Sequence, residues 1–165
     1  MTGKEKRSAG TRTSAAASPL TLDNLGFLLA KTSQRWNELL YGRFVAAGFP
    51  EVRPAYGSLL IPLYEEDGLR QGELARRARL SKQTLTTMAR ALERDGLVER
   101  RIDPSDARAT QIFLTEHAYE LRPVAEQVLN EVEALVAAAL TAHARETLKT
   151  WLRQIANLDR PTPST

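Results

Sequence analysis

The sequence predicts a mainly α-helical fold with a small β-wing: a winged helix-turn-helix held between N- and C-terminal dimerisation helices. Three observations predict it. Residues 71–115 read in order as a short helix, a tight turn, an amphipathic helix closed by glycine, and a β-hairpin. The apolar residues on either side of that stretch recur at helical spacing. Those flanking helices also carry more apolar surface than a 45-residue head can cover, and a dimer would use the surplus.

Composition bounds the class. At 165 residues the chain fits one domain, or one domain with a dimerisation annex. Its 42% hydrophobic and 26% charged content is that of a soluble globular protein. No apolar run reaches the length of a bilayer span and the N-terminus has no apolar signal core, so the chain reads as cytoplasmic. There are no cysteines, which removes disulfides, thiolate metal sites and thiol redox switches. Only His117 and His143 could act as imidazole ligands or bases, each near a helix start, and no two-histidine helix motif or nucleophile elbow accompanies them. No enzyme, cofactor or metal site is expected. The net charge is +3, but nine basic and four acidic residues lie between Arg70 and Arg101, a local +5. The remainder holds 14 basic and 16 acidic residues, so positive charge gathers where a polyanion would dock.

Residues 1–20 are small, polar and basic without an apolar period, which reads as a disordered tail. The first helix should run from Asp23 to Ala47, with Leu25, Leu29, Thr32, Trp36, Leu39 and Leu40 on its apolar side and Gly48 closing it. Pro54 suits a first helical position and opens the second helix, with Tyr56, Leu59, Leu60 and Leu63 on one face. Pro62 inside it should kink or end it early, and Gly68 marks the limit. Leu69 and Arg70 form a strand only if the wing pairs with them. A third helix, Gly72–Ala78, buries Leu74, Ala75 and Ala78. Ser81 then caps a fourth helix, Lys82–Asp95, whose buried side is Leu85, Met88, Ala89 and Leu92. After Gly96, strands Val98–Ile102 and Ala109–Leu114 flank a bend at Asp103-Pro104-Ser105-Asp106.

From Thr115 to Leu140, Leu121, Ala125, Val128, Val132, Leu135 and Ala139 form a heptad seam, with Pro123 bending its start. Thr141 caps a last helix carrying Leu148, Trp151, Leu152 and Ile155 on one face. Leu25, Leu29, Val128, Val132, Leu135, Leu148, Trp151, Leu152 and Ile155 are therefore the expected dimer interface. The organisation is a tail (1–20), an N-terminal dimerisation helix (21–50), the winged head (51–115), C-terminal dimerisation helices (116–160) and a disordered end (161–165).

The chemistry sits on the fourth helix and the wing. Lys82, Thr86 and Arg90 lie four apart, with Gln83 and Thr87 in the adjacent row. In a major groove Gln can pair with adenine, Arg and Lys with guanine, and Thr with a base edge or a thymine methyl. Ser81 and the free amides of the first turn suit a phosphate. In the wing, Asp106 can hold Arg108 extended toward the narrow, negative minor groove. The plain alternatives are a solvent-exposed polar face and a surface ion pair worth under about 1 kcal/mol.

The order of these residues resembles the MarR family of winged-helix transcription regulators. The likeness runs from Gly72-Glu73-Leu74-Ala75 through Leu92-Glu93-Arg94-Asp95-Gly96-Leu97-Val98-Glu99-Arg100 to Asp103-Pro104-Ser105-Asp106-Ala107-Arg108-Ala109, and ends at Ile112-Phe113-Leu114-Thr115. The resemblance implies a homodimer that joins through its terminal helices and binds double-stranded DNA over a palindromic operator. It assigns base and phosphate contacts to Ser81, Lys82, Gln83, Thr84, Thr86, Thr87 and Arg90, the minor groove to Arg108, and support to Asp106. Two departures are Ala107, where many members have a second arginine, and Gln71, where Thr or Ser commonly caps. It also implies release of DNA by a small aromatic or phenolic ligand, for which Trp36, Arg43, Phe44, Tyr56 and Tyr64 offer an aromatic wall with one cation. Core and interface packing is the plain alternative for each of these five. The reading is a dimeric, sequence-specific transcription regulator, a repressor relieved by such a ligand. A regulator without an effector and a winged-helix module that binds protein are the alternatives. The Lys82/Gln83/Thr86/Thr87/Arg90 face argues against the second of these.

Overall fold

The order of elements is set by local signals that the backbone obeys. The computed structural model describes residues 20–158, so the predicted tail, apart from Leu20, and the predicted end at 161–165 lie outside the described residues. Helix α1 (Leu25–Ala46) starts where the Asn24 side chain accepts the amide hydrogens of Gly26 and Phe27, at 2.9 and 3.3 Å. It stops at Gly48, where Phe49 N–H reaches back to the Phe44 carbonyl at 2.9 Å. The described residues fall into two compact units that divide between Gln34 and Arg35, within α1.

Pro54–Tyr56 form one 3₁₀ turn before α2 (Gly57–Glu65). That helix passes through Pro62 and ends one turn later, short of Gly68, in keeping with the early end that a proline predicts. Asp67 then organises the chain entry to the head. Its carboxylate accepts the amides of Gly68 and Leu114, at 2.9 and 2.8 Å, and the Tyr119 hydroxyl at 3.1 Å. Strand β1 (Leu69–Arg70) leads straight into α3 (Gln71–Ala78). Arg79 adopts the left-handed conformation (φ 55°) that closes α3, a conformation most residues avoid. Ser81 caps α4 (Lys82–Arg94) by accepting Thr84 N–H at 3.1 Å.

Strands β2 (Val98–Asp103) and β3 (Asp106–Leu114) make a longer hairpin than the sequence suggests, with only Pro104 and Ser105 between them. The sheet order is β1-β3-β2, all antiparallel; Leu69 lies opposite Ile112 and Arg70 opposite Gln111. Val98 faces Leu114, and the ladder slips at Ile102/Asp103, so that Asp103 pairs with Asp106. Thr115 caps α5 (Glu116–Ala139) and Thr141 caps α6 (Ala142–Ile155), each accepting the amide three residues on at 3.2 Å. α5 runs on unbroken past Pro123.

One core joins the second unit. Leu59, Leu63, Leu74, Leu85, Leu92, Leu97, Ile112, Leu121 and Val132 are fully buried in it. Burying each such side chain contributes about 1.5–3 kcal/mol. Here the interface expected for Val128 and Val132 is corrected: both are buried in the chain's own core, in the cluster that holds Leu40 and Phe44. Only the far end of the seam, from Leu135 on, stays open. α6 buries no residue at all.

His117 ties α5 to the loop after α1. Its ring stacks on Phe49 with centroids 5.3 Å apart, Nε2 lies 2.8 Å from Glu51, and Nδ1 lies 3.4 Å from Glu120. The Glu51 hydrogen bond is the main reason its pKa is raised, with Glu120 adding to it. A raised folded-state pKa contributes stability that is complete below the unfolded value and is lost as pH rises through the folded one. His117→Gln should therefore lower Tm more at about pH 5.5 than at about pH 8.5. An equal loss at both pH values would contradict this.

Candidate nucleic-acid interface

α4 buries Leu85, Ala89 and Leu92 and leaves its other side to solvent. Lys82, Gln83, Thr84, Thr87 and Arg90 are exposed there and Thr86 is half-buried. Two hydroxyls already have work within the helix. Thr84 Oγ1 lies 2.8 Å from the Ser81 hydroxyl, and Thr86 Oγ1 donates to the Lys82 carbonyl at 2.8 Å. Thr86 is thus left with acceptor lone pairs and its methyl for a base, while Lys82, Gln83 and Arg90 keep free donors.

The wing ends in Arg108, whose side chain is 94% exposed. Asp106 supports it as expected: its carboxylate accepts the Arg108 backbone amide at 3.0 Å and sits 3.5 Å from Nε. An open cleft of about 480 Å³ separates α4 from the wing, with Arg70, Lys82 and Arg108 among its walls and Leu85 at its floor. Three cations on its walls, with Glu73 the one acid beside them, suit contact with phosphates.

Sequence reasoning missed the group beneath the wing. Asp103 is 3% exposed, the one buried charged side chain among the described residues. Its Oδ2 accepts Arg70 Nε–H at 2.5 Å; its Oδ1 accepts Ser105 N–H at 2.8 Å and the Ser105 hydroxyl at 2.6 Å. Arg70 Nη2 also donates to Ser105 Oγ at 2.9 Å. The Ser105 hydroxyl, and next the Arg70 guanidinium, hold the Asp103 carboxyl well below the usual carboxylate range. Nothing local in the sequence flags this pairing, because its partners are 33 residues apart.

Below the head, a second cavity of about 280 Å³ is walled almost wholly by apolar groups. Trp36, Phe44 and Tyr64 line it as expected. Arg43 and Tyr56 do not, and both are corrected. The Arg43 guanidinium is held 3.3 Å from Glu131 and donates to its own helix at Leu39 O. The Tyr56 hydroxyl donates to Asp95 at 2.5 Å, at the C-terminal end of α4. Arg53 is the cation on the cavity wall, with its guanidinium 5.1 Å from the Tyr41 ring centre. The Tyr64 hydroxyl donates to the Ala118 carbonyl at 2.7 Å, and burial pushes its pKa up to about 12, so it stays neutral. Among the described residues no group of three or more His, Cys, Asp or Glu is placed to hold a metal ion, and no helix is long and apolar enough to cross a membrane.

Comparison with known proteins gives a consistent picture. Residues 54–110 match the MarR family. The HTH-type transcriptional repressor Rv2887 of Mycobacterium tuberculosis is 34% identical over 128 residues, covering 72% of this chain and 91% of that protein. In fold, the chain is similar to Sco3205, a MarR family transcriptional regulator from Streptomyces coelicolor solved in complex with DNA. That likeness has a TM-score of 0.71, 26% identity, and covers 87% of this chain and 95% of Sco3205. The PcaV transcriptional regulator from Streptomyces coelicolor, solved with its natural ligand, has a TM-score of 0.74, 21% identity, and 86% and 98% coverage.

Proposed function

As this chain belongs to the MarR family, and is therefore a DNA-binding transcription regulator and not an enzyme, we propose that it acts as a homodimeric repressor. In this reading a palindromic operator binds it and a small aromatic or phenolic ligand releases it. The observation that carries the DNA reading is the juxtaposition of two donor-rich surfaces. Lys82, which begins the exposed row Lys82, Gln83, Thr87 and Arg90, lines one cleft with the exposed Arg108. α4 suits the major groove and Arg108 the adjacent minor groove. Ser81 and Thr84, at the start of α4, suit the intervening phosphate.

Exposed apolar surface supports the dimer. Leu148, Trp151 and Leu152 are exposed on α6, Ile155 is half-buried, and Leu135 is 48% exposed on α5. In the first unit Leu25 is 62% exposed and Leu29 half-buried. Exposed apolar surface of this kind suits an interface, and a two-fold dimer would read a two-fold operator. Deleting the chain after Thr141 should convert a dimer into a monomer by sedimentation and leave weak DNA binding. A truncated chain that remains a tight dimer would remove α6 from the interface.

The ligand reading rests on the 280 Å³ cavity, whose size suits one aromatic ring and whose single cation, Arg53, suits an acidic substituent. The testing experiment is fluorescence anisotropy on the duplex upstream of the chain's own gene, against a scrambled duplex, over a salt series. Contacts to ~6–10 phosphates should cost about three to five decades of affinity between roughly 50 and 200 mM salt. Benzoates and phenols added to the complex should then lower the anisotropy. Equal affinity for both duplexes would count against a local operator, and no binding to either would favour a protein partner.

A further inference from the structure

We propose that Arg70 and Asp103 are positioning residues for DNA recognition: their buckle sets how far the minor-groove arginine stands from the recognition helix. The inference rests on the reading that Arg108 enters the minor groove. Arg70 is the last residue of β1, and the next residue begins α3, the first helix of the helix-turn-helix. Its guanidinium reaches across the sheet to Asp103 at 2.5 Å and to Ser105 at 2.9 Å, at the hairpin bend. Asp103 lies opposite Asp106, at the slip in the ladder, and Asp106 in turn holds Arg108 by its backbone amide. A continuous set of contacts therefore runs from the helix-turn-helix to the wing's reading residue.

The arrangement is more than a hairpin needs. A two-residue bend between antiparallel strands can form from Pro104 and Ser105 with a side-chain turn at Asp103 alone. Burying the Asp103 carboxylate is unfavourable unless it is paired and hydrogen-bonded. Arg70 supplies that partner from a different part of the head, so wing tip and helix start move as one body. Asp103 is 3% exposed and cannot touch DNA itself; whatever it does to recognition passes through its neighbours. A fixed separation between two reading elements converts operator spacing into affinity, since a displaced wing would lose its groove.

The test is a double-mutant cycle on the duplex that the wild-type chain selects from a random-sequence pool. Dissociation constants are measured for wild type, Asp103→Asn, Arg108→Ala and the double variant, with thermal unfolding and sedimentation on each. Each single variant is expected to weaken binding about tenfold. Because Asp103 acts through Arg108, the double variant should be weaker than Arg108→Ala by no more than about twofold. Selections repeated with Asp103→Asn and with Arg108→Ala should lose preference at the same flanking base pairs and keep it under α4. A merely structural role would lower Tm and the active fraction without moving that preference. Losses that multiply to about a hundredfold, or a flank preference unchanged in Asp103→Asn, would overturn the positioning role while leaving Arg108 as a reader. Full affinity in Arg108→Ala would overturn the minor-groove reading and this inference with it. If Asp103→Asn does not fold, Ser105→Ala removes only the hydroxyl bonds of the buckle. It should weaken binding about threefold in the presence of Arg108 and leave Arg108→Ala unchanged; equal losses in both backgrounds would overturn the proposal.

Discussion

Replacing Gly68 by alanine is expected to lower stability by about 2–4 kcal/mol, because two costs add at one position. Gly68 has φ +70°, in the left-handed region that an L-side chain enters at about 1–2 kcal/mol. A Cβ built there would stand 2.5 Å from Phe113 Cε1 and 3.0 Å from Cζ. At that distance the Phe113 ring has to shift. It belongs to β3, and the Arg101 guanidinium lies over it, 4.5 Å from the centroid. Thermal unfolding should show Tm falling by about 5–15 °C. Gly42→Ala is the internal control. Gly42 lies inside α1, a Cβ there meets nothing within 4 Å, and the change should raise stability by up to about 1 kcal/mol. A Gly68→Ala chain that melts within about 2 °C of wild type would contradict both costs.

Arg108→Ala and Arg90→Ala are expected to weaken operator binding by about 1–3 kcal/mol each, with dimerisation unchanged. Both side chains are exposed, so Tm should move little, since exposed substitutions usually fall within about 0.5 kcal/mol. The two should differ in kind. Loss of a minor-groove cation should flatten the salt dependence as well as weaken binding, while loss of Arg90 should relax the preference at one base pair. Ala107 sharpens the expectation for the wing, because no second arginine stands beside Arg108 to replace it. Unchanged affinity in both variants would remove both assigned roles.

Much of the architecture was legible because its causes are local. Ser81, Thr115 and Thr141 cap helices through amides three residues away, and the i, i+3/i+4 pattern of Leu85, Ala89 and Leu92 puts the polar row of α4 outside whatever the rest of the chain does. Asp106 and Arg108, two residues apart, meet in any tight hairpin. The misassignments share the opposite feature. Arg43 is a plausible cation for an aromatic wall until Glu131, far along the chain, claims it, and Arg53 lines the cavity instead. Tyr56 looks like a wall residue until Asp95 takes its hydroxyl. Val128 and Val132 fit a heptad seam, but a seam does not say whether its partner is another copy or the chain's own core, and here it is the core.

By itself, then, the sequence determined the element order, the exposed polar face of α4, the wing with its arginine, and the family. Each is encoded in residues within about one helical turn or one hairpin of each other, where backbone geometry fixes the outcome. Only the tertiary structure decided which apolar residues remain for a partner, which cation faces the cavity, and that Asp103 is buried. A charged residue in a Pro-Ser bend belongs at the surface by every local rule. The Ser105 hydroxyl, two residues away, and then Arg70, brought to it by the pairing of β1 with β3, keep the carboxylate ionised out of water, and no local spacing records the meeting with Arg70.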